Sequence, residues 1–405
     1  MRRHTGVVVG LAVLVGALGT STGGHTAINS RFTYNEHLFP VFQRQCGSCH
    51  IEGGVAPMSL LTYQEAFPWT QSIREEVLGL RMPPWKAEDG FGDFVNGHVL
   101  PAHELDMILE WSGGGYPEGP RDQRPTAPEP ADGWTLGEPS VELTLAEPFV
   151  IDAATSEVVR YFTLPTELAD DRWITGVDVR PGSRAVVRHV AVYIDETGQA
   201  RTLEDADAGP GFASGFDSDE PIAVWWPGQS VVQIDGAGYA LPAGADVVAR
   251  VVYKKTWITE GQAFTDQTSL GLHLADSAVD AIAHTVVSSP ADVSGPEVVF
   301  SHPITEDVTL RGLLPEMDFE ATELQVEGVL PDGSRRPLLL IREPDHGWPT
   351  RYWFDTPQPL PSGSEIQVTV TLRGGANREG VPSLFANDAP IRLLVDYTAG
   401  AVTAN

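Results

Sequence analysis

From about residue 134 onward the chain is written in short apolar/polar alternations, "VELTLAEPFVI", "VVRYFTL", "AVVRHVAVYI", "DVVARVVYKK", "LQVEGVL" and "EIQVTVTL", separated by Gly, Pro, Asp and Asn. Successive side chains of a strand point to opposite faces, so period-two alternation broken by frequent turns predicts antiparallel sheet stacked into sandwiches. Single cores rarely grow beyond about 250 residues, and the length of this part suits two sandwiches in tandem. The expected limits are 134–284 for the first and 285–405 for the second.

The texture upstream is different. "FTYNEHLFPVFQRQ" carries Leu38, Val41 and Phe42 at helical spacing, and "AHELDMILEWSGGG" carries Leu105, Ile108, Leu109 and Trp111 in a helix that should end at Gly113 and Gly114. A small all-α domain over residues 32–118 is therefore expected ahead of the sandwiches. The Pro- and charge-rich stretch that follows lacks apolar periodicity, and residues 119–133 read as a semi-rigid linker. At the start, Arg2 and Arg3 precede an apolar run from Gly6 to Gly19 and then "TSTGG". That is the pattern of a signal peptide, expected over residues 1–27. The run falls short of the about 20 apolar residues that span a bilayer, so the expectation is an exported protein, periplasmic or extracellular, with no membrane span after cleavage.

The two cysteines of the chain, Cys46 and Cys49, stand in "QCGSCHIEGG" with His50 directly behind them. A disulfide across a two-residue gap closes too small a loop to stabilise much. A zinc site would need further ligands at matching spacing, and His37, His98 and His103 are scattered. A redox-active Cys-x-x-Cys pair needs no His. Cys-x-x-Cys-His has its own reason in c-type haem attachment: two thiols add to the haem vinyl groups, and the adjacent His becomes the proximal iron ligand. Haem c bound through Cys46, Cys49 and His50 is the expected cofactor, and a helix, a haem loop and a closing helix would make a cytochrome core.

The sixth iron ligand of an electron-transfer haem is usually Met or His. Met58, Met82, Met107, His98 and His103 are candidates. "GLRMPPWKAEDG" sets Met82 in a segment stiffened by two prolines, suited to presenting a side chain rigidly, whereas Met107 falls within the apolar periodicity of the last helix. Met82 is the expected ligand.

Together, "QCGSCHIEGGVAPMSLLTYQEA", "RMPPW" and a helix ending in Trp and Gly resemble the cytochrome c domain at the front of bacterial proteins similar to copper type II, ascorbate-dependent (peptidylglycine monooxygenase-like) enzymes. "DRWITGVDVRPGSRAVVRHVAVYI", "WWPGQS" with "YALPAGADVVARVVY", and "LPSGSEIQVTVTL" resemble segments of the two jelly-roll domains of that family. The resemblance implies an all-α cytochrome c domain followed by all-β tandem jelly-roll sandwiches, and it implies copper ligands. The first copper's His-His pair corresponds to Arg188 and His189, and its Gln-x-His-Tyr segment to Arg250, Val251, Val252 and Tyr253. The second copper's His-x-His corresponds to Glu316, Met317 and Asp318, with no later Met in the chain. His189 is thus a lone remnant. Copper favours imidazole and thioether donors, so copper is not expected. Glu316 and Asp318, alternating on a strand, would suit a harder cation such as calcium but supply few of the oxygens it needs.

Acidic residues outnumber basic ones 55 to 26, giving a net charge of -29 and a pI near 4.6. Such a surface repels phosphate backbones, which excludes nucleic acid as a partner and leaves a redox partner protein as the expected one. The expected function is an exported c-type cytochrome that binds haem and transfers single electrons, with the sandwiches as a degenerate module for binding or support. The alternative implied by the resemblance is a copper- and ascorbate-dependent monooxygenase fed by its own haem.

Overall fold

The computed structural model describes residues 29–95, 97, 99–129, 133–217, 220–345, 347–373, 383–385 and 388–400. The expected signal segment at 1–27 and the candidate ligand His98 lie outside them.

The described residues from Val141 to Ala399 are mostly strands, with the helix Gln199–Ala206 among them, and the strands assemble into β-sandwiches. A long sheet of eight strands runs through the protein in the order Val141–Thr144, Ser269–Leu274, Arg172–Arg180, Ala237–Leu241, Asp280–Ser288, Ile391–Ala399, Val308–Met317 and Tyr352–Leu360. Its neighbours pair antiparallel except at the centre, where Asp280 and Ala281 pair in parallel with Ala237 and Gly238. Residue 284, where the first sandwich was expected to end, therefore lies inside the strand Asp280–Ser288 that bridges the two halves.

Two four-stranded sheets cover this long sheet. The first cover sheet has the order Glu157–Pro165, Asp246–Lys254, Val187–Asp195, Ala223–Trp225, and the second Glu297–Pro303, Glu365–Leu372, Ala321–Val329, Arg335–Arg342. Val190, Val192, Val247 and Val251 of the first meet Ile174, Leu270 and Leu272 of the long sheet in one core. Leu324, Val326, Ile366 and Val368 of the second meet Leu310, Leu313, Leu393 and Val395 in the other.

The first cover sheet is covered on its outer face as well. Ala191, Tyr193 and Val248 pack there against Leu314, Leu384, Phe385 and Leu394 of the second sandwich. Alternation that reads as half-buried in sequence is thus buried on both sides. A buried polar joint locks this seam: Arg351, 1% exposed at its side chain, lies 3.4 Å from Asp396, donates to Ile222 O at 2.6 Å and Tyr239 Oη at 2.7 Å, and reaches Pro221 O, while Tyr239 Oη donates to Asp396 at 2.8 Å.

The expectation of a separate all-α cytochrome c domain is corrected by the structure, which is predominantly β. The helices of the N-terminal part are short: a π-turn at Tyr34–Leu38 running into Phe39–Gln45, then Tyr63–Ala66, Thr70–Leu78 and Ala102–Gly113. They share a cluster around Tyr34, Phe42, Leu61, Ile108 and Trp111. Between Leu78 and Ala102, however, the chain leaves them and joins the second sandwich. Trp85 and Ala87 belong to that sandwich's core. Bridges join Ala87 to Ile341 and Phe94 to Phe354, and Glu88 N donates to Leu340 O at 2.9 Å. Gly92 permits this approach, because its φ of +108° disfavours other residues and a Cβ would stand 2.4 Å from Leu338 O. The physical reason is apolar area. Four short helices cannot bury Trp85 and Phe94 together with their own aromatics, and the sheet edge beside Tyr352 and Phe354 can.

Two outcomes are expected. Trp85→Ala removes the anchor of this strap and should cost roughly 3–5 kcal/mol, read from urea unfolding, with new protease cleavage within residues 83–99. Asp396→Ala leaves Arg351 buried beside an unmatched site and should cost roughly 3–5 kcal/mol in the same measurement.

Candidate functional site

Cys46 ends the helix Phe39–Gln45, its N–H bonded to Phe42 O at 2.9 Å. Its own carbonyl then accepts from Cys49 N at 3.2 Å and His50 N at 2.8 Å, which folds the motif into one tight turn. Cys46, Cys49, His50 and Met82 all line a single cavity of about 300 Å3, the low end of the range for small-molecule sites. The structure thus gathers the four residues singled out in sequence.

The imidazole of His50 has a defined polarity. Its Nδ1 lies 3.0 Å from Met58 O, and a carbonyl only accepts, so Nδ1 carries the hydrogen and Nε2 is left with its lone pair. Burial depresses the basicity of His50, opposed by the Met58 bond, which favours the neutral form that metals require. Burial also pushes the Cys46 thiol up to about 12, with Cys49 and Glu104 adding to it. It pushes Cys49 up to about 11, partly offset by a Ser48 hydrogen bond and by Arg188. Dithiol redox centres use thiols whose pKa is lowered, the opposite of the direction that burial imposes on these two.

Of the other axial candidates, Met58 lines the same cavity, but its carbonyl is engaged on the Nδ1 side of His50, away from the nitrogen that would meet iron. Met107 packs among the helices and His103 is exposed; neither lines the cavity.

The part of the cavity wall that the sandwiches supply was not legible as site in the sequence. Met82 and Cys49 pack against Val55, Trp226 and Trp348, and the two tryptophans, one from each sandwich, meet edge to face at 5.4 Å. Cys49 Sγ donates to Pro227 O at 2.8 Å. Gly228 has φ +92°, and a Cβ there would stand 2.2 Å from Ser48 Oγ, so the loop after Trp226 lies directly on the cysteine motif. Arg188 also lines the cavity, its guanidinium 3.5 Å from the Trp348 ring centroid.

These residues can be tested against a covalently attached haem. The macrocycle needs apolar walls, which Val55, Ile73, Val77 and Trp226 supply; the vinyl groups need two thiols; the iron needs an unprotonated imidazole nitrogen and a soft sixth donor. Each requirement has a residue in the cavity lining, and the group fits.

His189 lies elsewhere. It shares the seam face of its strand with Ala191 and Tyr193 and lines a cavity of only about 40 Å3 with Lys86, Arg250 and Glu316, space for water rather than a substrate. It pairs in register with Val252. Glu316 and Asp318 share a side as their alternation implies, but Arg392 lies between them, 3.1 Å from the first and 2.7 Å from the second. Among the described residues no cluster of three or more His, Cys, Asp or Glu side chains could hold a metal ion, and no helix is long and apolar enough to cross a membrane.

No protein-family model and no curated protein matches the chain. Among solved structures, the major capsid protein P2 of bacteriophage PM2 aligns with 65% of this chain and 99% of its own at 11% identity and a TM-score of 0.25. PNGF-II aligns with 64% of this chain and 65% of its own at 10% identity and a TM-score of 0.26. The infectious bursal disease virus Gt strain structure is matched at 10% identity over 68% of this chain and 80% of its own, with a TM-score of 0.16.

Proposed function

We propose that the protein is an exported electron carrier that holds one haem c in the cleft between its helices and its sandwiches. The observation that carries this reading is the convergence of Cys46, Cys49, His50 and Met82 on one apolar cavity. Bound there, haem supplies a one-electron couple. The residues do the rest. Cys46 and Cys49 fix the group covalently, His50 offers Nε2 while Met58 O holds its other nitrogen, and Met82 stands on the wall formed by Val55, Trp226 and Trp348. The tryptophans and the loop that lies on Ser48 cover part of the attachment side. The net charge of -29 would steer a basic redox protein toward the surface at low salt. Copper-dependent hydroxylation finds no ligand set among the described residues, since His189 stands with Arg250 and Val252 at the positions that the resemblance gives to imidazoles.

Haem staining of denatured protein tests the reading, after expression with periplasmic haem-attachment machinery. A stained band of the mature chain, lost in the Cys46→Ser/Cys49→Ser variant, is the expected result. Haem that extracts into acidified solvent would sink the idea. In the stained protein, Met82→Ala should abolish the near-infrared sulfur-to-iron band of the oxidised form and lower the reduction potential, because Met ligation raises it. An unchanged spectrum would move the ligand to another residue.

A further inference from the structure

We propose that Arg188, a residue of the first sandwich, is the anion anchor of the cleft: its guanidinium holds a propionate carboxylate of the haem attached at Cys46 and Cys49. This rests on the haem reading and extends it to the part of the ligand that the cysteine motif does not touch.

The backbone is the first argument. On the strand Val187–Asp195, Val187 pairs with Tyr253 and His189 with Val252, so Arg188 is the extra residue of a β-bulge. Val187 goes into the sandwich core and His189 onto the seam. The bulge takes Arg188 out of that alternation and re-aims it, and its side chain lines the cavity of the cysteine motif.

Charge is the second. Arg188 is the one guanidinium or ammonium among the described residues lining that cavity. Glu76, the one carboxylate of the lining, is already held by Arg81 through bonds of 2.8 and 3.0 Å. Trp348 supports the face of the Arg188 guanidinium at 3.5 Å, which leaves the N–H edge as its recognition surface. Among the described residues no carboxylate lies within ion-pair distance of it, and Asp345 and Glu157 act on it only from further away. Burial works against its charge, and a carboxylate arriving in the cleft would offset that penalty with charge-assisted hydrogen bonds. The ligand chemistry that matches is a planar apolar body with an acidic edge. Arg is the residue suited to it, because its fork binds a carboxylate in two parallel hydrogen bonds.

The test compares Arg188→Gln and Arg188→Lys with the wild type as full-length haem-loaded proteins, by haem staining and by potentiometric titration over a pH series. Staining should be equal in all three, since the thioethers do not involve Arg188. Loss of staining in the wild type would instead strike the haem reading. In Arg188→Gln the reduction potential should fall, because a positive charge near the iron is removed, and it should become pH-dependent in the mildly acidic range as the released propionate titrates. Arg188→Lys, keeping the charge without the fork, should restore most of the potential and show a weaker pH dependence. Thermal unfolding of Arg188→Gln, made with and without the Cys46→Ser/Cys49→Ser change, separates ligand binding from packing: the destabilisation should be larger in the haem-bearing pair. A potential and pH profile in Arg188→Gln identical to wild type, or an equal destabilisation in both backgrounds, overturns the proposal. Should Arg188→Gln not accumulate, Arg188→Lys alone decides, with an unchanged pH profile counting against it.

Discussion

The position of the cleft depends on the burial of Trp85. Its ring, 7% exposed, stands 5.0 Å from Tyr352 and 6.2 Å from Phe94 inside the second sandwich, three residues after Met82. An indole in that core ties down the chain on either side of it. Pro83 and Pro84 stiffen the short connection, so Met82 has little freedom in where it presents its sulfur. The opposite end of the site is fixed just as firmly by Cys46 at the end of its helix. The cleft is what remains between these two fixed points. It has three walls: the short helices, the bulged strand of the first sandwich, and Trp348 of the second.

The seam between the sandwiches shows what the positions that correspond to copper ligands in the resemblance do in this fold. Strands buried on both faces read as near-continuous apolar runs, and the polar positions that interrupt them must find partners inside the protein. Tyr193 Oη donates to Leu384 O at 3.0 Å, Leu384 N donates to Glu316, and Arg250 donates to Tyr161 Oη at 3.1 Å. The seam is filled by Leu314, Phe385 and Leu394, and the space beside His189 is small. Such a seam suits mechanical coupling of two sandwiches better than access for a substrate.

Local chemistry was legible in the sequence and long-range pairing was not. The cysteine motif announced itself because three reactive side chains within five residues need no tertiary partner to be recognised. The strands were legible because a period of two is a local property. The helices before Cys46 and after Leu100 formed close to their expected limits. What failed was the inference from short helices to an independent helical domain. Nothing local in "RMPPWKAEDGFGDF" states that Trp85 and Phe94 would lie against strands that begin more than 200 residues later, because the burial available there depends on Tyr352 and Phe354. Arg188 was visible only as a departure from a pattern. Its aim came from a bulge, and a bulge is set by the register of two strands rather than by either sequence alone.

The thiol of Cys49 donates to a carbonyl of the first sandwich, and Gly228 leaves no room between that sandwich and Ser48. On the haem reading proposed above, this arrangement imposes an order on biogenesis. Once the sandwiches have closed over the motif, Cys49 is engaged with Pro227 O and burial works against ionisation of both thiols, which slows their attack on any incoming vinyl group. A cofactor joined to both sulfurs must therefore be joined while the front of the chain is still open, before the β-rich remainder has finished folding. Since residues 46–50 precede every strand in the sequence, vectorial emergence of the chain supplies that interval. The slow, non-local sheet assembly then acts as a latch that shuts behind the attachment step.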